Sequence, residues 1–183
     1  MGAKMGAHDL LGSRSRSSDH PTPSWLFQLL DRIYCFDLDV AAGTDNAKCE
    51  RFFTEADDGL AQRWTGRVWM NPPYGDEISA WVKKAYDSVR LMDAVVVVGL
   101  LPVRTSSGWW HEYIEGKARI EYVRGRLRFD GNEHDAPFAS CVAVWMPELS
   151  KRRAEFMGIS TAAKAYVPDV KSHCALDRIK VKK

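Results

Sequence analysis

Apolar positions fall into alternating blocks of helical and extended spacing. Thr22-Pro23 reads as a cap and first helical residue, and Trp25, Leu26, Leu29, Leu30 and Ile33 follow at helical intervals. Residues 35–42 read as a strand ending in Gly43-Thr44-Asp45-Asn46, and 51–54 as a second short strand. Val68-Trp69-Met70 is a third strand, halted by Asn71-Pro72-Pro73-Tyr74-Gly75. The clearest helix places Ile78, Trp81, Val82, Ala85, Tyr86 and Val89 on one face. Residues 94–101 are continuously apolar, as expected of a strand buried on both faces of a parallel sheet. Ser106 or Ser107 can cap a short helix carrying Trp109, Trp110, Tyr113 and Ile114. Strands at 118–123, 126–129 and 139–146 close the pattern. Strand–helix alternation predicts an α/β fold with a mainly parallel sheet and a C-terminal antiparallel hairpin.

The two ends lack this periodicity. Residues 1–19, rich in Gly, Ser, Ala and Arg, read as a flexible leader. Residues 148–183 read as a basic appendage with weak helical character around 151–157, leaving 20–147 as one domain. A chain that is 45% apolar and 27% charged is globular in type. No run of eighteen apolar residues or secretory-type stretch is present, so we expect no membrane span and a cytoplasmic location. The four cysteines form no CxxC pair and the five histidines are scattered; free thiols and no metal are expected. Residues 148–183 hold nine Lys or Arg against four Asp or Glu, whereas 20–147 hold fourteen against eighteen. Nucleic-acid contact would therefore need local patches or the tail. Oligomeric state is not legible.

Asn71-Pro72-Pro73-Tyr74 carries the chemistry. Two prolines cannot continue a ladder, so the chain leaves the sheet at its carboxyl edge, where α/β proteins bind ligands. One reading is a stiff exit turn with Tyr74 packed inside. The other explains all four residue types together. An adenine amine is a poor nucleophile because its lone pair is delocalised into the ring. Two acceptors at its hydrogens, the Asn71 side-chain oxygen and the Pro72 main-chain oxygen, would favour a tetrahedral nitrogen and stabilise the developing positive charge. Pro72 and Pro73 would hold those oxygens, and Tyr74 would stack on the base. Upstream, Asp39, Ala41 and Gly43 place an acid and small residues at a strand end, although GxGxxG is absent. Asp57-Asp58-Gly59-Leu60 offers a second acidic turn, equally readable as solvated surface.

In order, these pieces resemble the phage DNA N-6-adenine-methyltransferase family. The resemblance runs from Thr22-Pro23-Ser24-Trp25 through Phe36-Asp37-Leu38-Asp39-Val40-Ala41-Ala42, Asn46-Ala47-Lys48-Cys49 and Asp57-Asp58-Gly59-Leu60 to Asn71-Pro72-Pro73-Tyr74. Leu101-Pro102-Val103-Arg104, Arg124-Gly125-Arg126-Leu127-Arg128-Phe129 and Ala136-Pro137-Phe138 continue it. The resemblance implies a Rossmann-like S-adenosylmethionine-dependent methyltransferase fold and adenine methylation in DNA. It assigns catalysis to Asn71, Pro72, Pro73 and Tyr74. It assigns the donor S-adenosylmethionine to Asp39 with Ala41 and Asn46, to Asp58 and Leu60 at the adenine ring, and to Thr22-Pro23 over the methionine part. Glu55 and Asp57 compete for the ribose, because the span from Asp39 to Asn71 is short.

DNA contacts are expected from Arg124, Arg126 and Arg128, which would share one face of a late strand, and from Arg104 beyond the buried strand. Phe138 and Phe129 are candidates to receive a base flipped out of the duplex. The rival readings are methyl transfer to RNA or a protein glutamine, and a DNA-binding relative without catalysis.

Overall fold

The structure, a computed structural model, describes residues 20–147. The expected leader, the basic appendage and its helical stretch at 151–157 lie outside the described residues.

Helix α1, Ser24–Tyr34, buries Leu26, Leu30 and Tyr34, spaced four apart so that they stack along one side. Trp25, Leu29 and Ile33 form a second stripe one residue over and are 58%, 51% and 40% exposed. The single apolar face expected from the sequence is thus two stripes, of which the core covers one. Thr22 is not the cap. It is buried, Pro23 occupies the cap position, and the Asp130 carboxylate accepts from the Ser24 backbone N–H (3.0 Å) and hydroxyl (2.9 Å) at the helix start. Cys35 turns left-handed (φ 51°) and donates its N–H to Asp31, so it ends α1 instead of starting a strand.

Strand β1 is therefore only Leu38–Asp39, followed by β2 (Arg51–Phe52), a single 3-10 turn (Glu55–Asp57) and β3 (Gly66–Met70). Helix α2 (Ile78–Arg90) and strand β4 (Ala94–Pro102) come next, then α3 (Gly108–Tyr113), β5 (Arg119–Tyr122) and β6 (Ser140–Trp145). The six strands lie in the order β2-β1-β3-β4-β6-β5. The first four run parallel; β6 is inserted antiparallel between β4 and β5. This is the expected mixed α/β fold with a mostly parallel sheet.

The strand expected at 126–129 does not form. Its alternation survives, because Leu127 and Phe129 are buried while Arg126 and Arg128 are exposed, but no strand pairs with it. β6 runs antiparallel to both β4 and β5, and β5 and β6 are joined by a long loop and not by a tight hairpin. Among the described residues, Cys141 is a free thiol, as expected, whereas Cys35 is disulfide-bonded.

Close packing fixes the middle of the sheet. A Cβ on Gly99 of β4 would sit 2.7 Å from the Met70 methyl and 3.2 Å from the Trp145 ring. Register then aligns Asp39 of β1 with Trp69 of β3, so both strands end at the same edge. Because the chain goes from β1 out to β2 and returns to β3 on the other side, that edge is a topological switch point.

Candidate active site

Asn71 follows directly on β3. Asn71 is 7% and Tyr74 5% exposed, and Pro72 is buried between them. A buried amide and phenol need partners, and each is satisfied. The Tyr74 hydroxyl lies 2.9 Å from Asn71 Oδ1 and 3.1 Å from the Leu100 carbonyl, and donates its proton to them. Asn71 Nδ2 donates to the His20 carbonyl at 2.8 Å. These opposite demands set which way the Asn71 amide faces. Burial holds the Tyr74 phenol well above its ordinary pKa, so it remains a donor. The sequence suggests a role for the Tyr74 ring alone; in the structure its hydroxyl also orients Asn71.

An aromatic cage adjoins this corner. The His20 imidazole stacks on Phe129 with centroids 4.8 Å apart, and lies 5.3 Å from Tyr74 and 5.5 Å from Phe138. Tyr74 and Phe138 meet edge-on at 5.6 Å. Phe138 and Phe129 therefore stand beside Tyr74. His20 is one of the scattered histidines to which the sequence gives no role; its place beside Thr22-Pro23 is the one available hint.

Asp39 ends β1 and is 3% exposed. It accepts from the backbone N–H of Ala41 (3.2 Å) and of Lys48 (3.1 Å). Burial pushes its pKa up to about 6, although those two N–H groups and the Lys48 charge pull the other way. Asn46 Oδ1 accepts from the Gly43 N–H at 2.7 Å and pins the turn after β1. Thr22, Asp39, Ala41, Asn46, Lys48 and Asn71 line one cleft of about 10 Å³, the room of a single water.

Not every expected donor residue joins it. Pro23 is buried at the start of α1, and Glu55, Asp57, Asp58 and Leu60 do not line the cleft. Asp57 Oδ2 accepts from the Thr54 N–H (2.8 Å) and hydroxyl (2.7 Å), capping the 3-10 turn, and the backbone bond from Thr54 lowers its pKa. Asp58 sits at φ 50° and accepts from the Leu60 N–H at 3.2 Å.

Arg104, just past β4, reaches back to donate to the Tyr74 carbonyl at 3.3 Å. Arg124, Arg126 and Arg128 are exposed on the β5–β6 loop, where Arg128 pairs with Asp135 at 2.9 Å. Among the described residues no helix is long and apolar enough to cross a membrane, and no His, Cys, Asp and Glu cluster could hold a metal.

The profile of the family described as DNA N-6-adenine-methyltransferase (Dam) matches residues 14–170. The chain is 35% identical over 119 residues to a DNA N-6-adenine-methyltransferase of Escherichia phage T1, covering 62% of this chain and 48% of that one. It is 32% identical over 128 residues to one of Haemophilus phage HP1 (strain HP1c1), covering 66% and 73%. The chain thus spans about half the length of the first relative and most of the second. A crystal structure of a Thermoplasma acidophilum protein aligns over 56% of this chain and 58% of that one, at 13% identity and TM-score 0.31, a likeness too slight to define the fold.

Proposed function

This chain belongs to the DNA N-6-adenine-methyltransferase (Dam) family, and from that membership we propose that it methylates the exocyclic amine of adenine in DNA, with S-adenosylmethionine as donor. The observation that carries the proposal is the corner after β3, where a buried tyrosine orients Asn71 at the switch point of the sheet. Strand order β2-β1-β3-β4 supports a Rossmann-like, donor-binding reading of the fold.

The donor supplies an activated methyl group on a sulfonium. The protein's part is to place an amine against it and polarise that amine. Asn71 Oδ1 and the Pro72 carbonyl accept from the two amine hydrogens, held by Pro73 and by Tyr74. Asn71 is neutral and removes no proton. The donor residues fit: Asp39 is a buried acceptor with lone pairs to spare, and Thr22, Ala41 and Asn46 share its cleft. A cleft of about 10 Å³ means that the Pro21–Thr22 segment, with Pro23 behind it, gives way when a larger ligand enters. Asp58 and Leu60 take the donor's adenine ring. Of the two ribose candidates, Asp57 is engaged in capping, which leaves Glu55. Arg104, Arg124, Arg126 and Arg128 meet DNA phosphates, and Phe138 packs against the flipped base.

We assign this domain to residues 20–147 and its workplace to the cytoplasm of a bacterial host, a reading supported by the phage origin of both relatives. The test is transfer of labelled methyl groups to DNA, structured RNA and protein in parallel, with digestion to identify the acceptor. We expect N6-methyladenine in DNA alone. Label on cytosine, RNA or glutamine, or donor binding without turnover, overturns the reading.

A further inference from the structure

The place that the proposed function gives to the flipped adenine is taken by a residue of the protein itself. The His20 ring stacks on Phe129 at 24° and is flanked by Tyr74 and Phe138, so it presents a flat nitrogen heterocycle to the same aromatic faces. Its Nδ1 is buried and has no hydrogen-bond partner among the described residues, which a packing histidine would not leave unmet. Its carbonyl takes the Asn71 Nδ2 proton, adding a second tie to the catalytic corner. The segment is fastened from outside as well. Asp130 donates its N–H to the Pro21 carbonyl at 3.1 Å, and its carboxylate accepts from both the N–H and hydroxyl of Ser24.

We propose that His20 is a built-in stand-in for the target base: residues 20 and 21 form a strap, hinged ahead of Thr22, that closes the base pocket in the free protein and withdraws when DNA delivers an adenine. The inference rests on the adenine-methyltransferase reading above. Asp130 is the latch, and it sits on the same loop as Arg124, Arg126 and Arg128. Phosphate capture by the loop and release of the strap are thereby joined through one short stretch of backbone. A closed strap weakens apparent DNA affinity in proportion to the fraction of time it is open.

Two variants and one spectroscopic signature test this. In the free protein the His20 ring protons lie upfield, shifted by the Phe129 ring current. Adding an adenine-containing duplex to protein already saturated with S-adenosylhomocysteine moves them to ordinary positions. DNA binding, seen at other resonances, with His20 still upfield overturns the proposal. In steady-state assays on unmethylated genomic DNA, His20→Ala raises kcat/KM for DNA by about threefold to tenfold, as a strap open roughly a tenth to a third of the time requires. Asp130→Ala, which leaves the cage intact, moves kcat/KM in the same direction. A fall or no change in both variants overturns the proposal, because His20 would then aid the reacting complex or merely fill space. If no duplex binds at all, the reading underneath fails and the strap's role with it; that outcome is distinct from binding with His20 unmoved.

Discussion

The corner after β3 and the loop between β5 and β6 meet at Tyr74, and they are held there by opposite means. The corner inherits its position from a strand paired to β4 in register, two prolines, and buried hydrogen bonds from Tyr74 and Asn71. The loop has no strand. It is kept in place by the buried side chains of Leu127, Phe129 and Ala136, and by isolated backbone bonds such as Ala136 to Leu127 (2.9 Å) and Asn132 to Phe129 (3.1 Å). Polarising an amine needs atoms held to a fraction of an ångström, whereas meeting a phosphate backbone needs charge at an adjustable distance. On the proposed function, the difference separates chemistry from capture.

The largest effect should come from breaking the rigid half. Asn71→Ala removes one preorganised acceptor, and single-turnover methyl transfer should fall by about 10²–10³ while donor binding survives. Wild-type rates in this variant would exclude Asn71 from catalysis.

Tyr74→Phe sharpens the same half. Stacking alone would predict near-normal activity, but the hydroxyl orients Asn71 and satisfies the Leu100 carbonyl. Loss of one such bond, at about 1–1.5 kcal/mol, predicts a roughly tenfold slower transfer. An unchanged rate would show that the prolines suffice to hold Asn71.

The loop should fail differently. Arg124 and Arg126 have no acidic partner among the described residues, so replacing both with Glu should lower DNA affinity regardless of sequence. The slope of log affinity against log salt should flatten by about two, one for each phosphate that is no longer neutralised. The single-turnover rate at saturating DNA should change little; a large fall there would join the loop to the chemistry.

The smallest effect concerns pH. On the proposed function, Asp39, with its pKa raised to about 6 by burial, accepts from the N–H donors of S-adenosylmethionine best when ionised. Donor affinity measured by calorimetry should therefore rise as pH increases through about 6 and level off above it. In Asp39→Asn the affinity should be weaker and the pH dependence flat. A wild-type profile flat from pH 5 to 8 would remove Asp39 from the donor site.

Legibility in the sequence follows the same division. α2 is readable because it buries a periodic apolar set, and β4 because its apolar run is buried at every position but Val95. The corner is readable because Asn-Pro-Pro-Tyr combines a chain break with a chemical need. Asp39 stands at a strand end, as the sequence suggests, but the strand is shorter than its apolar run implies, because nothing local shows Cys35 turning left-handed. The loop misleads for an instructive reason. Alternation of Arg126, Leu127, Arg128 and Phe129 records which side chains face inward, not whether a neighbouring strand exists to pair with. Asp130 is invisible in the sequence, and His20 nearly so, because their partners lie far along the chain, as the 106-residue separation of Ser24 and Asp130 illustrates.

The insertion of β6 between β4 and β5 also bears on how the chain folds as it is made. All six residues of β6 are buried, yet it is the last described strand to be synthesised. Until Trp145 is available, β4 has an open edge and β5 has nothing to pair with, so the parallel half must wait, hydrophobic and incomplete. Closing the sheet is a late, long-range event, of the kind that slows folding and exposes intermediates to aggregation. A nascent chain stopped short of residue 145 would lose its centre, not its margin.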